Sequence, residues 1–496
     1  MGIKHFFGWF KHNQRLKSTI SNAPPDHIDH VLIDMNGIIH ESAQEVFRYG
    51  KYQSRLQLPE RLKNKVRTPS DHDLHIHIKN KVNSLITLLS PRKSIFLAID
   101  GVAPKSKQNQ QRQRRFKASL DHAPKAQSFN SNCITAGTQF MNNLSQSLQS
   151  LDWIKNQNIV CHISTDSEPG EGEHKLISWI KNNYDYQEHY CVIGLDADLL
   201  LLCMLLDLQV YVMRETIMPD LHSSQLITKV QFIDTRAAKH KLPISIHDLV
   251  VLSCFIGNDF LPPVPSFEIR ESAPELGILD YLIAFCQKHN ITLVNPRNGH
   301  LNMHGLKHIM AGMTAREESI MVARMKDSSR FDNELWYDGM SIDEYRDVYF
   351  FKNMNDDKSK IVEYYIKTVQ WVYMYYAKCD DWASGWDTAP LAYSPSWDWY
   401  YPYNYALHAN DFEKYMPVDI YKFYWPKSYP SHPHEQLLRV IPPISIDLIP
   451  PYLHSEFLRI AREATTFKLD KSGKREEWEA VTIVDFVNPQ VEHYGN

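Results

Sequence analysis

The chain has no CxxC pair, no strong excess of one charge, no long uninterrupted apolar run, no internal repeat and no low-complexity tract. Each absence removes a class of explanation. Its seven cysteines, Cys133, Cys161, Cys191, Cys203, Cys254, Cys286 and Cys379, stand singly, which suits free thiols in a reducing compartment and argues against zinc. The formal net charge is only −4 at pH 7, so a nucleic-acid site has to be a local basic patch rather than a property of the whole molecule. The opening MGIKHFFGWF lacks the apolar core of a signal peptide and is too short to span a bilayer. Gly2 suggests myristoylation, but Phe6 occupies the place of the required Ser or Thr. The most apolar stretches, LDADLLLLCMLLDLQVYVM and Leu249 to Ile256, are interrupted by acids or end in polar turns. They read as buried core, and no membrane partner is expected. At 496 residues the chain is either one large elaborated body or two to three lobes.

What is present is a set of seven acids at the ends of apolar runs or in tight polar turns: Asp34, Asp100, Glu171, Glu173, Asp196, Asp198 and Asp259. Asp34 closes VLID, Asp100 closes SIFLAID, Asp196 and Asp198 close YCVIGLDAD, and Asp259 ends VVLSCFIGND. Short runs rich in Val, Ile and Leu imply buried parallel strands, and their alternation with helical patterns such as EHKLISWIKNNY implies an α/β fold. In such sheets ligands gather at the carboxyl ends of the strands. Carboxylates converging there need a cation, and hard oxygen ligands suit Mg²⁺ or Mn²⁺. Taken singly, each Asp is also a natural turn former or helix cap.

The segment DSEPGEGEHK places Glu171 and Glu173 two apart around Gly172, immediately before a helix. Asp196 and Asp198 share that spacing, which on an extended strand end points both to one side. Two such pairs, with Asp34, Asp100 and Asp259, suit a two-metal centre for phosphodiester hydrolysis. Just after Asp100, Lys107, Gln111, Arg114 and Arg115 fall on one helical face. They form either a solvated charged face or a pocket for a terminal phosphate, which Arg forks match. His40, with Trp397 or Trp399 from PSWDWYYPYNY, offers stacking surfaces for bases, although aromatics in so rich a segment also suit a core.

At these residues the chain resembles the cytoplasmic-type 5′-to-3′ exoribonucleases of the Xrn family, within the flap-endonuclease and PIN-like superfamily. The matching stretches, MGIKHFFGWF, LIDMNGIIH, AIDGVAPKSKQNQQRQRRF, NCITAGTQFM, DSEPGEGEHK, VIGLDADLLLL, CFIGNDFLP, SWDWYYPYNYA and KREEWEAV, run in order along the chain. The resemblance implies a PIN-like, mainly parallel sheet flanked by helices, with a second conserved region packed around the active site. It implies a nuclease core over 1–290, a connecting segment over 291–345, and the second region over 346–496. It further implies processive, Mg²⁺-dependent degradation of single-stranded RNA from a 5′-monophosphate, using two ions that Mn²⁺ can replace and releasing nucleoside monophosphates. The seven acids would be the catalytic metal ligands, and Lys107, Gln111, Arg114 and Arg115 the 5′-phosphate pocket. His40 and Trp399, with Trp397 as second choice, would be the stacking pair, and Pro104 the wedge that excludes duplex. A cytoplasmic monomer is expected, with the decapping machinery one candidate protein partner.

The β-barrel modules of long family members are expected to be missing, and the 45–90 region and the ASGWDTAPLAYSP insertion at 383–395 look atypical. LIDMNGIIH is superficially similar to a phosphatase pattern, but Asn36 stands where a second acid belongs. A 5′ nuclease acting on DNA flaps and a catalytically silent RNA-binding scaffold are the remaining alternatives.

Overall fold

The computed structural model describes residues 2–50, 52, 69–121, 129–155, 158–219, 226–269, 277–377, 396–417 and 428–490. The 383–395 insertion and most of residues 51–68 lie outside them. Seven strands, β1 (Ile20–Ser21), β2 (His30–Asp34), β3 (Ser94–Ala98), β4 (Val160–Ser164), β5 (His189–Ile193), β6 (Gln209–Pro219) and β7 (Leu226–Asp234), form one sheet in the order β1-β7-β6-β5-β2-β3-β4. The run from β6 to β4 is parallel, while β7 and β1 are antiparallel additions at one edge. The expected mainly parallel α/β sheet is therefore present. Its strand order reverses beside β2, with β3 and β4 on one side and β5 and β6 on the other. Such a reversal leaves a crevice at the carboxyl ends.

Successive residues of the central strands enter different cores because side chains alternate across a pleated sheet. Val31, Ile33, Ile95, Leu97, Cys191 and Ile193 join the core built with α2 (Met35–Phe47), α3 (Asp71–Leu89) and α5 (Gln139–Gln149). Leu32, Phe96, Ala98, Tyr190, Val192 and Val210 face the larger core. That core is built with α1 (Phe6–His12), α6 (Gly172–Asn182), α7 (Asp198–Leu205), α8 (Thr235–Lys241), α9 (Ile246–Ile256), α10 (Ile278–His289), α11 (Met303–Met325), α13 (Lys358–Ala377) and α14 (Ala409–Tyr415). The remaining helices, α4 (Lys105–Asp121), α12 (Ile342–Asn353), α15 (Pro433–Val440) and α16 (His454–Glu463), flank this body, with the small antiparallel pair β8 (Phe467–Asp470) and β9 (Val481–Val484). Gly473, at φ 66, supplies a left-handed residue in the connection between β8 and β9.

Within the atypical 45–90 region, α3 buries Leu74, Ile78, Val82, Leu85, Ile86 and Leu89 along one stripe, a helical period that its histidine-rich composition hides in the sequence. Strand β4 is an edge rather than a buried strand, and Val160 is accordingly exposed. In the connecting segment, Met303, Met310 and Met313 sit in the larger core. The six described cysteines are free.

Candidate active site

All seven acids come from segments that end at the crevice. Asp34 is the last residue of β2 and also the N-cap of α2, its Oδ1 accepting from the Asn36 N–H at 3.2 Å. Cap and site are thus one residue. Asp100 follows β3; its Oδ1 accepts from the Gly172 N–H at 2.6 Å, and its Oδ2 from the Asn36 amide at 2.6 Å. Gly172 has no room for a side chain, since a Cβ there would lie 2.8 Å from Asp34 Oδ1 and 3.2 Å from Asp100 Oδ1. Glu171 stands at the N-cap of α6 and Glu173 in its first turn. Asp196 lies in the loop after β5, and Asp198 is the first residue of α7. The extended spacing expected for that pair is therefore wrong: the chain turns after Ile193, and Asp198 gains a helix N-terminus, where negative charge is favoured. Glu173, Asp196 and Asp198 nevertheless bring ligand oxygens within 4.8 Å of one another, and Glu171, Glu173 and His174 do the same with two carboxylate oxygens and a ring nitrogen.

The electrostatics are those of crowded carboxylates. Burial, reinforced by Asp100 and Asp196, holds the Asp34 carboxyl well above its ordinary range. Burial and Asp198 do the same to Glu173, and burial with Asp196 and Asp259 pushes Asp198 up to about 7. A buried ammonium stands among them. Lys107 Nζ lies 2.5 Å from Glu171 Oε2 and 2.8 Å from Asp259 Oδ2. Burial would lower its pKa, but Asp259, Glu171, Glu173 and Asp198 hold it well above the usual lysine value. Lys107 was grouped with the phosphate pocket on its helical offset; the structure instead places its ammonium among the acids.

The other three members of that helix face stay together. Gln111, Arg114 and Arg115 line a small cavity of about 20 Å³ with His40, Asn36, Asp100, Thr135 and Gln436. Arg115 donates to Gln111 Oε1 at 3.2 Å and to Thr135 Oγ1 at 2.7 Å, and burial with neighbouring Arg114 pushes it down to about 9. Burial and the two arginines hold His40 down to about 3. Its ring is therefore neutral at physiological pH.

The two tryptophans part company. Trp399 stacks on Tyr364 at 5.3 Å and donates to Thr368 Oγ1 at 2.9 Å, packed along α13. The Trp397 carbonyl accepts from the Lys105 N–H at 2.9 Å, beside Pro104 at the start of α4. Trp397, the second choice from sequence, is therefore the one at the start of α4. Trp397 and Pro104 are both buried.

Sequence reasoning missed several contributors. The Tyr375 hydroxyl donates to Glu171 Oε1 at 2.6 Å and that of Tyr376 to Asp198 Oδ2 at 3.2 Å, both from α13. Asn36 bridges Asp34 and Asp100, and Gln436 reaches from α15 to accept from the Ala103 N–H at 2.8 Å. The run YMYY gave no local sign of two inward hydroxyls. His174, inside the DSEPGEGEHK motif, was visible but not singled out.

Divalent metal fits this donor set. The ligands are hard carboxylate oxygens in excess over nearby cations, and Asp198 Oδ1 is buried with no hydrogen-bond partner among the described residues. An orphaned carboxylate oxygen at the centre of such a cluster is what a bound cation would satisfy.

Residues 1–216 match the family model described as the XRN 5′-3′ exonuclease N-terminus, and residues 239–348 and 332–491 match that of the Xrn1 helical domain. Human 5′-3′ exoribonuclease 1 is 25% identical over an alignment covering 98% of this chain and 33% of the relative. Chicken 5′-3′ exoribonuclease 2 is 24% identical, covering 98% and 69%. The chain thus spans about a third of the human relative's length. Among solved structures, the catalytic core of Rad2 in complex with DNA substrate gives a TM-score of 0.32 at 13% identity, over 65% of this chain and 78% of that one. Flap endonuclease-1 from Methanococcus jannaschii gives 0.28 at 14% identity, over 72% and 91%.

Proposed function

This chain belongs to the XRN 5′-3′ exonuclease family, and on that premise we propose that it hydrolyses single-stranded RNA processively from a 5′-monophosphate end, releasing nucleoside 5′-monophosphates. One observation carries the reading: Asp100 and Asn36 belong both to the carboxylate cluster and to the arginine-lined cavity. A terminal phosphate gripped by Arg114 and Arg115 would sit next to the acids, so the distance from chain end to cleaved bond is built in. The small cavity supports a single phosphate and disfavours capped or triphosphorylated ends.

The residues divide the work. Asp34, Asp100, Glu171, Glu173, Asp196, Asp198 and Asp259 would hold two Mg²⁺ ions, for which Mn²⁺ is the proposed substitute; bound there, the metal supplies Lewis-acid charge and an activated water. Lys107 neutralises Glu171 and Asp259 and keeps them from repelling each other. Tyr375 and Tyr376 orient carboxylates of Glu171 and Asp198 through their hydroxyls. His40, neutral and beside the arginines, offers a flat face to the first base without adding charge. Among the described residues no helix is long and apolar enough to cross a membrane. The proposed acting form is a cytoplasmic monomer.

Digestion of one RNA carrying a 5′ monophosphate, triphosphate, cap or hydroxyl, in Mg²⁺ or in EDTA and beside the matched DNA strand, tests the reading. The expected result is conversion of the monophosphorylated RNA alone to mononucleotides, only with metal. Equal loss of the DNA strand, or of capped RNA, would overturn it. Arg114→Ala should erase the preference for the monophosphate over the hydroxyl end while leaving some cleavage.

A further inference from the structure

A second cavity, of about 560 Å³, backs onto the carboxylate cluster. Two segments have a residue in each space. Gly2 abuts Asp198, where a Cβ would lie 2.7 Å from Oδ1, while Lys4 and His5 line the cavity. Asp259 pairs with Lys107, while Ile256 and Pro262 on either side of it line the cavity. The two spaces share a wall.

The charges of this cavity are unevenly matched. Its enclosed acids are answered: Glu268 by Arg324 and Arg330 at 2.9 and 2.8 Å, Asp327 by Arg475 at 3.0 Å, Asp470 by the Tyr405 hydroxyl at 2.5 Å, and Glu479 by the N–H groups of Arg475 and Glu476. Its lysines are not. Lys474 Nζ forms no hydrogen bond or ion pair among the described residues, and Lys4 Nζ reaches only the Glu479 carbonyl at 3.5 Å and the face of Trp478. Burial, with Lys474 beside it, holds Lys4 down to about 8, and burial also lowers Lys474. Glu268 and Glu479 act on both lysines, but those acids are already engaged by the arginines and N–H groups above, so the half-buried Lys474 and the exposed Lys4 leave room for an anion. The volume is that of a small-molecule site and far exceeds a simple anion. Trp336 and Tyr345 add an aromatic wall.

We propose that this cavity binds a nucleoside 5′-monophosphate, with the phosphate between Lys4 and Lys474 and the base against the aromatic wall, and so holds the product leaving the carboxylate cluster. The source of the ligand rests on the nuclease reading; its chemical class rests on the cavity.

Titration of the full chain with AMP in EDTA needs no turnover and so separates the two. AMP is expected to bind saturably and adenosine at least tenfold more weakly. Lys474→Gln should weaken AMP at least tenfold, Lys474→Arg should restore it, and Arg114→Ala should leave it unchanged. In RNA digestion with metal, added AMP should inhibit the wild type and inhibit Lys474→Gln far less, each relative to its own rate without AMP. Trp336→Ala gives an independent readout should Lys474→Gln fail to fold. The proposal falls if neither variant alters AMP affinity, or if Arg114→Ala abolishes it, which would put AMP in the 5′-end cavity. It falls equally if inorganic phosphate binds as tightly as AMP, or if a 5′-hydroxyl oligoribonucleotide displaces AMP, which would make the cavity part of the strand path. Loss of AMP binding with RNA digestion intact counts against the cavity alone; AMP binding without any nuclease activity counts against the nuclease reading alone.

Discussion

Single residues here serve two masters, and Asp198 shows the consequence most directly. It opens α7, accepts from Tyr376, and keeps one oxygen buried without a partner among the described residues. A group so placed contributes charge at the expense of stability. Asp198→Ala, like Asp196→Ala, should therefore abolish turnover while RNA binding, read by filter retention or anisotropy, persists; full activity in a clean preparation would remove the acids from the chemistry. Glu317 is the opposite case. Burial acts to raise its carboxyl, but His408, the Ala409 N–H and Arg346 outweigh burial and hold it at about 2. Its folded pKa is below the unfolded value, so its stabilisation is fully present above about pH 4.5 and lost as pH falls towards 2. The gap is worth roughly 3 kcal/mol. The stability difference between wild type and Glu317→Gln, measured by urea midpoint, should shrink by about that much between pH 5 and 2; a constant difference would contradict the ion-pair account.

Among elements, α13 carries more of the site than its aromatic composition advertises. Trp371, Tyr373, Tyr375 and Tyr376 are all buried along it, so it is at once a core helix and the source of two hydroxyls on the acids. These roles separate experimentally. Tyr375→Phe retains the ring and removes one hydrogen bond to a charged group, a loss of about 1.5–3 kcal/mol in the interaction. The expected outcome is a fall of about tenfold to a hundredfold in kcat with nearly unchanged Tm and KM. A fall in Tm without a kinetic effect would make the hydroxyl structural. Helix α4 shows the same division along its length. Lys107 lies about one turn before Gln111, roughly 5.4 Å along the axis, and that turn separates the acid cluster from the arginine cavity.

For the whole molecule, seven acids at one crevice mean that the native state carries repulsion which the unfolded chain does not. Cations that bind only the folded form stabilise it by mass action. Millimolar Mg²⁺ should raise the Tm of the wild type and EDTA should reverse the rise, while an Asp196→Asn, Asp198→Asn double variant should be more stable than wild type in EDTA and nearly indifferent to Mg²⁺. Equal metal responses would show that the ions bind elsewhere. The larger core, which takes in residues from Ile3 to Met416, supplies the burial that tolerates this repulsion.

The sequence by itself determined which acids stand at strand ends and acidic turns facing the crevice, because strand endings, two-residue acidic spacing and a helix opening are local signals that survive in one dimension. It likewise determined the parallel α/β sheet and the shared face of Gln111, Arg114 and Arg115. Only the tertiary structure decided that the Lys107 ammonium lies among the acids rather than in the arginine-lined cavity, that Trp397 rather than Trp399 borders Pro104, and that Asn36, Tyr375, Tyr376 and Gln436 contact the acids or that cavity. The physical reason is range. Helical and strand periods fix which side chains share a face, but the partner met by that face is set by packing between segments hundreds of residues apart.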